Sequence, residues 1–136
     1  MSIYEDKVQE CHHAMECAIN EPLSVELLEL RYKLLNEELS ELKAEIDTLC
    51  LELKEQGQTT PQTRGKMLKE LADLQYVLSG MAISFGLPFE EAFNRVHTSN
   101  MSKLVNGKPI KRADGKFLKG PNYQPPYLED LAITIK

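Results

Sequence analysis

Hydrophobic positions recur at spacings of four and three through the middle of the chain. Leu28, Tyr32, Leu35, Leu39, Leu42, Ile46, Leu49 and Leu53 form one such row, a heptad-like seam on a long helix. Ser24 stands where an N-cap belongs, Glu26 favours the first turn, and the helix is expected to run to about Glu55 and stop at Gly57. Met67, Leu71, Leu74, Leu78, Met81 and Phe85 repeat the pattern on a further helix, opened by Thr60-Pro61 and closed by Gly86. Gly80 falls inside that helix and predicts close helix packing there, at a cost of roughly 1 kcal/mol against alanine. A shorter first helix is predicted over about Ile3 to Ala18, with Val8, Cys11, Met15 and Ala18 at helical spacing; Asn20-Glu21-Pro22 breaks it. Pro88 opens a fourth helix, with Glu90 and Glu91 in its first turn and Phe89, Phe93 and Val96 on one face, ending near Leu104.

The texture then changes. Asn106-Gly107 and Asp114-Gly115 are turn signals, and prolines crowd the segment between 109 and 126. Ile110 to Leu118 predicts a small hairpin about Asp114-Gly115. The expected architecture is all-α: a four-helix-bundle-like core over about 3–104 and a basic flap and tail over 105–136, in one domain spanning 1–136. At 136 residues and 42% hydrophobic composition, the chain is long and apolar enough to build a core.

Charge sharpens this picture. The net charge of −5 splits into −9 over residues 1–102, +5 over 103–119 and −1 beyond. An acidic bundle with a basic segment suits a metal ion and a polyphosphate better than a duplex nucleic acid, which the acidic face would repel. Beyond Phe117 and Tyr123 the basic segment lacks interleaved aromatics, so no nucleic-acid partner is expected. Cys11, Cys17 and Cys50 have no CxxC spacing and read as reduced thiols of a cytoplasmic protein. A zinc site from Cys11, His12, His13 and Cys17 lacks a second ligand pair to complete it. Glu5, Asp6 and Glu10 interrupt any leader at the start, and the uncharged stretch at 74–89 is too short and too polar for a membrane span.

The candidate chemistry lies in two acidic clusters. Glu38 and Glu41 are three residues apart, as are Glu70 and Asp73, so each pair shares a helix face. Leu34, Leu35 and Leu42 flank Glu38 on the helix, which sets its carboxylate at the edge of the core, where an unpaired charge is costly. Glu37, Glu41 and Glu45 form a like-charge column, each pair costing roughly 0.2–0.5 kcal/mol. A cation between the helices would offset both penalties. With no histidine or cysteine in either cluster, the ligand set is all oxygen and suits Mg²⁺ or Mn²⁺. The plainer alternative is a solvated glutamate-rich face, but Glu70 and Asp73 stand at the mouth of the uncharged stretch.

Glu37-Glu38-x-x-Glu41 followed by Glu70-x-x-Asp73 resembles the EExxE…ExxD signature of the all-α nucleoside triphosphate pyrophosphohydrolases, which include MazG-type enzymes, dimeric dUTPases and phosphoribosyl-ATP pyrophosphohydrolases. Val96-His97-Thr98-Ser99-Asn100-Met101-Ser102-Lys103, Asp114-Gly115-Lys116 and Lys119-Gly120-Pro121-Asn122-Tyr123-x-Pro125-Pro126 resemble the C-terminal signature of the phosphoribosyl-ATP-pyrophosphohydrolase-like branch. Ala72-Asp73-Leu74-x-Tyr76-Val77 and Arg31 fit as well, so the resemblance covers most of the chain from about Leu23 onward. Cys11 and Met15 stand where the branch often carries phenylalanine, and Tyr127 where it often carries aspartate. These departures spare the acids and touch base specificity.

The resemblance implies a MazG-type fold and hydrolysis between the α and β phosphates of a nucleotide, giving a monophosphate and pyrophosphate. It implies Glu38, Glu41, Glu70 and Asp73 as metal ligands. Glu37 is expected to hold a further metal or to orient the attacking water, the alternative being a solvated partner of Lys33. Asn100 and Lys103, one turn apart, and Arg112, Lys116 and Lys119 on the flap are expected to contact the substrate. Tyr76, one turn after Asp73, is a candidate for base or ribose contact, or else core. His97 reads as a core histidine. A (d)NTP, possibly dUTP in a house-cleaning role, is the expected substrate. Phosphoribosyl-ATP is the nearest alternative, and a helical scaffold protein comes from a different class. An unfinished apolar face on the second and third helices, with the family's habit of dimerising, leads us to expect a homodimer or higher homo-oligomer.

Overall fold

The computed structural model describes residues 2–136, and the fold is all-α. Its elements are α1 (Ile3–Ala14), α2 (Val25–Gln56), α3 (Pro61–Phe85), α4 (Phe89–Met101), β1 (Ile110–Lys111), β2 (Phe117–Leu118) and α5 (Glu129–Ala132). The chain divides into two compact units, one running through Leu87 together with Lys136, the other Pro88–Ile135.

In the first unit α3 is the central element, with α2 and α1 both packed on it. The long helices end where local chemistry dictates. The Ser24 side chain caps α2 through the Leu27 N–H at 3.2 Å, and Gly57 closes the helix in the left-handed region at φ 71°. At the start of α3, Thr60 and Thr63 form a reciprocal capping box ahead of Pro61 at the first helical position. Thr63 Oγ1 also donates to Glu52 Oε2 at 2.8 Å, which ties the start of α3 to the end of α2. The two helices therefore run antiparallel.

α1 stops at Ala14 rather than near Ala18. Glu16 adopts φ 58°, the Cys17 N–H turns back to the His12 carbonyl at 2.9 Å, and His12 Nδ1 donates to the Ala18 carbonyl at 2.8 Å. These ties replace the last predicted turn with a loop folded back onto its own helix. The loop continues across the end of α3, where the Asn20 and Glu21 N–H groups donate to the Ile83 and Ser84 carbonyls at 3.0 and 2.7 Å.

The apolar seam of α2 divides in two. Leu42 is buried and Leu35 and Leu49 are half-buried, whereas Leu28, Tyr32, Leu39, Ile46 and Leu53 are exposed. A strict heptad drifts around a straight 3.6-residue helix, so one helix cannot keep every seam position against a single neighbour. On α3 the apolar core concentrates at the C-terminal end, where Ala82, Ile83 and Phe85 are buried.

In the second unit α4 ends at Met101, a turn short of the expected Leu104. The tail is fastened to it by polar bonds. Ser99 Oγ donates to the Gln124 carbonyl at 2.7 Å, and the Gln124 N–H donates to Ser102 Oγ at 3.0 Å. Arg95 donates to Asp130 at 2.6 Å, to Glu91 at 2.9 Å and to the Tyr127 carbonyl at 3.1 Å. These bonds make Ser99 the buried residue of α4 and leave His97 and Phe93 exposed, so His97 is not the core histidine its neighbours suggest. The expected hairpin is present as β1 and β2, antiparallel with Ile110 opposite Leu118 and Lys111 opposite Phe117. Gly115 at φ 85° makes the turn, braced by Arg112 on Asp114 at 2.6 Å.

Candidate metal and nucleotide site

The i,i+3 pairs on α2 and α3 meet as their spacing requires. One carboxylate oxygen from each of Glu38, Glu41, Glu70 and Asp73 lies within 4.8 Å of the others. Glu41 is exposed and the other three are half-buried, so the nest opens to solvent on one side. Glu38 Oε2 and Glu70 Oε2 are buried without a hydrogen-bond partner. A buried carboxylate oxygen left unpaired costs on the order of 1–3 kcal/mol or more, so two in one nest call for a ligand.

Lys69 lies beside the nest, with Nζ 2.7 Å from Asp73 Oδ2 and 3.6 Å from Glu70 Oε1. Its side chain is 67% exposed and one ammonium cannot balance four carboxylates. Burial, and then the facing Glu41 carboxyl, hold Glu70 above the ordinary carboxylate range. This donor set fits a hard divalent cation: all oxygen, convergent, negatively charged and partly desolvated. The four carboxylates can hold a metal ion.

Of the other predicted residues, Glu37 and Tyr76 belong to the same unit as this cluster but are not among its four acids. Glu37 is exposed and makes no ion pair with Lys33 among the described residues. Tyr76 is 43% exposed and faces α1, where the Cys11 thiol beside it pushes the phenol upward from its usual value. Asn100, Lys103, Arg112, Lys116 and Lys119 all belong to the second unit. There Arg112 is engaged by Asp114, and Lys119 Nζ lies 4.7 Å from the Tyr123 ring centroid. The α4 face and the tail also border an open pocket of about 450 Å³, lined by Asn94, Thr98, Ser102 and Tyr127 among others.

A second polar feature of the first unit escapes a search for acids. Arg31 of α2 is 6% exposed, its Nε is buried without an acceptor, and its guanidinium lies over Gly80 of α3. His12 of α1, itself 5% exposed, faces the same glycine. The sequence signals for this were Gly80 in the middle of a helix and the fit of Arg31 to the family resemblance.

An antiparallel helix pair bearing facing ExxE and ExxD motifs is the arrangement of an all-α nucleotide pyrophosphohydrolase. Residues 8–100 match the model of the phosphoribosyl-ATP pyrophosphohydrolase family, and the chain belongs to that family. It is therefore a hydrolase, a pyrophosphohydrolase acting on a nucleotide. No curated protein matches it.

Proposed function

We propose that the chain hydrolyses the bond between the α and β phosphates of a nucleotide, releasing pyrophosphate, with Mg²⁺ or Mn²⁺ held by Glu38, Glu41, Glu70 and Asp73. The observation that carries this is the pair of buried, partnerless oxygens on Glu38 and Glu70 inside a four-carboxylate nest. A divalent ion bound there supplies charge neutralisation for the phosphates and makes water a better nucleophile. Glu38 and Glu70 fix the geometry of the nest from the helix interior, while Glu41 and Asp73 close it from the rim. Lys69 swings aside at small cost, since an exposed ion pair of this kind contributes little. Glu37 accepts the proton of the attacking water or orients it. Asn100, Lys103, Arg112, Lys116 and Lys119 contact the nucleotide and its phosphates, and Lys103→Ala and Lys116→Ala raise KM. Tyr76 contributes to base or ribose recognition.

Two substrates share this bond and this nest. A canonical or non-canonical (d)NTP such as dUTP would make the protein a house-cleaning enzyme. Phosphoribosyl-ATP, a histidine-biosynthesis substrate, is supported by the family match and is the reading we favour. Pyrophosphate release from a panel of NTPs, dNTPs, dUTP and phosphoribosyl-ATP tests this. The favoured reading requires phosphoribosyl-ATP to give the highest kcat/KM, and a dNTP turned over better by an order of magnitude or more contradicts it.

We further propose a cytoplasmic homodimer or higher homo-oligomer. All three cysteines are free, and no helix among the described residues is long and apolar enough to cross a membrane. Leu39 is 54% and Leu53 54% exposed on the open face of α2, with Leu71 49% exposed on α3. Large apolar side chains left exposed along two neighbouring helices are positions that a second copy of the chain would cover. A Leu39→Asp, Ile46→Asp double variant is expected to elute as a monomer where the wild type elutes as an oligomer. A wild-type mass equal to one chain at all concentrations counts against the proposal.

A further inference from the structure

The acidic nest leaves one buried cation unexplained. Arg31 and Glu38 are seven residues apart on α2, and Asp73 and Gly80 are seven apart on α3. That spacing, two helical turns, sets the Arg31 backbone about 10 Å from that of Glu38 along the α2 axis. Among the described residues Arg31 makes no ion pair and no hydrogen bond, and its Nε is sealed off without an acceptor. A methyl group added at Gly80 would collide with Arg31 Nη2 and would lie 3.1 Å from Arg31 Cζ and 3.3 Å from His12 Nε2. The glycine thus leaves the space the guanidinium fills. His12 is held by its other nitrogen, Nδ1, on the Ala18 carbonyl, and its Nε2 faces the same glycine. Burial also lowers the Arg31 pKa from its usual value, with the nearby Cys17 opposing that shift.

A planar cation with its donors unused matches an oxyanion held through two N–H groups. No carboxylate of the chain is bonded to Arg31, so the anion must come from outside. We propose that Arg31, seated between Gly80 and His12, is an anion anchor that binds a phosphate group of the nucleotide at a distance from the metal nest. The proposal rests on the pyrophosphohydrolase reading for the identity of the ligand, not for the existence of the site. Two sources of phosphate fit that spacing. One is the far end of the triphosphate, which every NTP carries. The other is the phosphate on the second sugar, which phosphoribosyl-ATP carries and a dNTP lacks.

The test follows the arginine Nε–Hε signals of the whole metal-free chain by ¹⁵N-resolved NMR during titration with inorganic pyrophosphate and with inorganic phosphate. Arg31→Lys assigns the signal by its disappearance, and Gly80→Ala displaces the guanidinium without removing it. The Arg31 signal is expected to shift saturably, and both variants to bind at least about tenfold more weakly. An Arg31 signal that stays fixed through the titration overturns the proposal, as does wild-type affinity in both variants. Should either variant fail to fold, the wild-type titration still decides. With Mg²⁺ present, a KM raised by Arg31→Lys for phosphoribosyl-ATP and for a dNTP alike places the anchor on the triphosphate. A KM raised for phosphoribosyl-ATP alone places it on the second sugar's phosphate, and an unchanged KM for both overturns the assignment. Binding without turnover on any nucleotide would sink the reaction proposed above and leave the anchor standing.

Discussion

Glu70→Gln is expected to lower pyrophosphate release by more than about a hundredfold and to remove the rise in melting temperature that Mg²⁺ or Mn²⁺ gives the wild type. Loss of a group that merely supports a metal ligand costs about 10–100-fold, and a ligand itself should cost more. The reason lies in the local balance of charge. Glu70 sits in the nest with its side chain 15% exposed, one oxygen partnerless and its pKa raised by burial and by Glu41. The amide keeps the shape and discards the charge, so the metal-free variant should be no less stable than the wild type. The two halves of this prediction separate a metal site from an acidic surface. If the nest were only a solvated face, the substitution would leave both turnover and the metal-dependent melting shift unchanged. Glu37→Gln beside it is expected to slow turnover while retaining the metal-dependent shift.

Gly86→Ala is expected to destabilise the protein by about 1–3 kcal/mol, lowering the melting temperature by several degrees. Gly86 closes α3 at φ 61°, where a side chain costs roughly 1–2 kcal/mol. A Cβ there would also meet the Asn20 Oδ1 atom at 2.5 Å. Asn20 is itself at φ 53° and anchors the loop from α1 to the end of α3 through its N–H on Ile83. Both residues must therefore give way at once. Thermal unfolding followed by circular dichroism checks this, and an unchanged melting temperature would show the loop to be independent of the α3 terminus. Gly80→Ala, by contrast, meets the end of a flexible arginine and gains helix propensity, so it should disturb Arg31 more than stability.

The contrast between these two glycines shows what the sequence could carry. Helix ends governed by neighbours in the chain were legible. Ser24, Gly57, Thr60-Pro61 and Gly86 each act within a few residues of themselves, and α2 and α3 begin and end where they direct. The convergence of the four carboxylates was legible for the same reason, since i,i+3 spacing puts each pair on one helix face and the α2–α3 hairpin sets the two helices side by side. The early end of α1 was not, because it depends on His12 reaching Ala18 and on the loop pairing with α3. α5 has no capping side chain or long apolar pattern to announce it. Nor did the seam on α2 reveal which of its leucines would find a neighbour, because that depends on where α3 lies. Arg31 fits the family resemblance, but nothing in the sequence shows its burial until Gly80 and His12 are placed against it. Resemblance to the family supplied the reaction, which geometry alone would have left as a hard-metal site.

The most direct test of the account is the identity of the product. The protein is incubated with its best nucleotide and Mg²⁺, and the phosphorus products are resolved by ³¹P NMR, with and without EDTA. The account predicts a nucleoside monophosphate or its phosphoribosyl counterpart together with intact pyrophosphate in equal amounts, and neither product under EDTA. Orthophosphate as the primary product, or hydrolysis that EDTA leaves untouched, would contradict it.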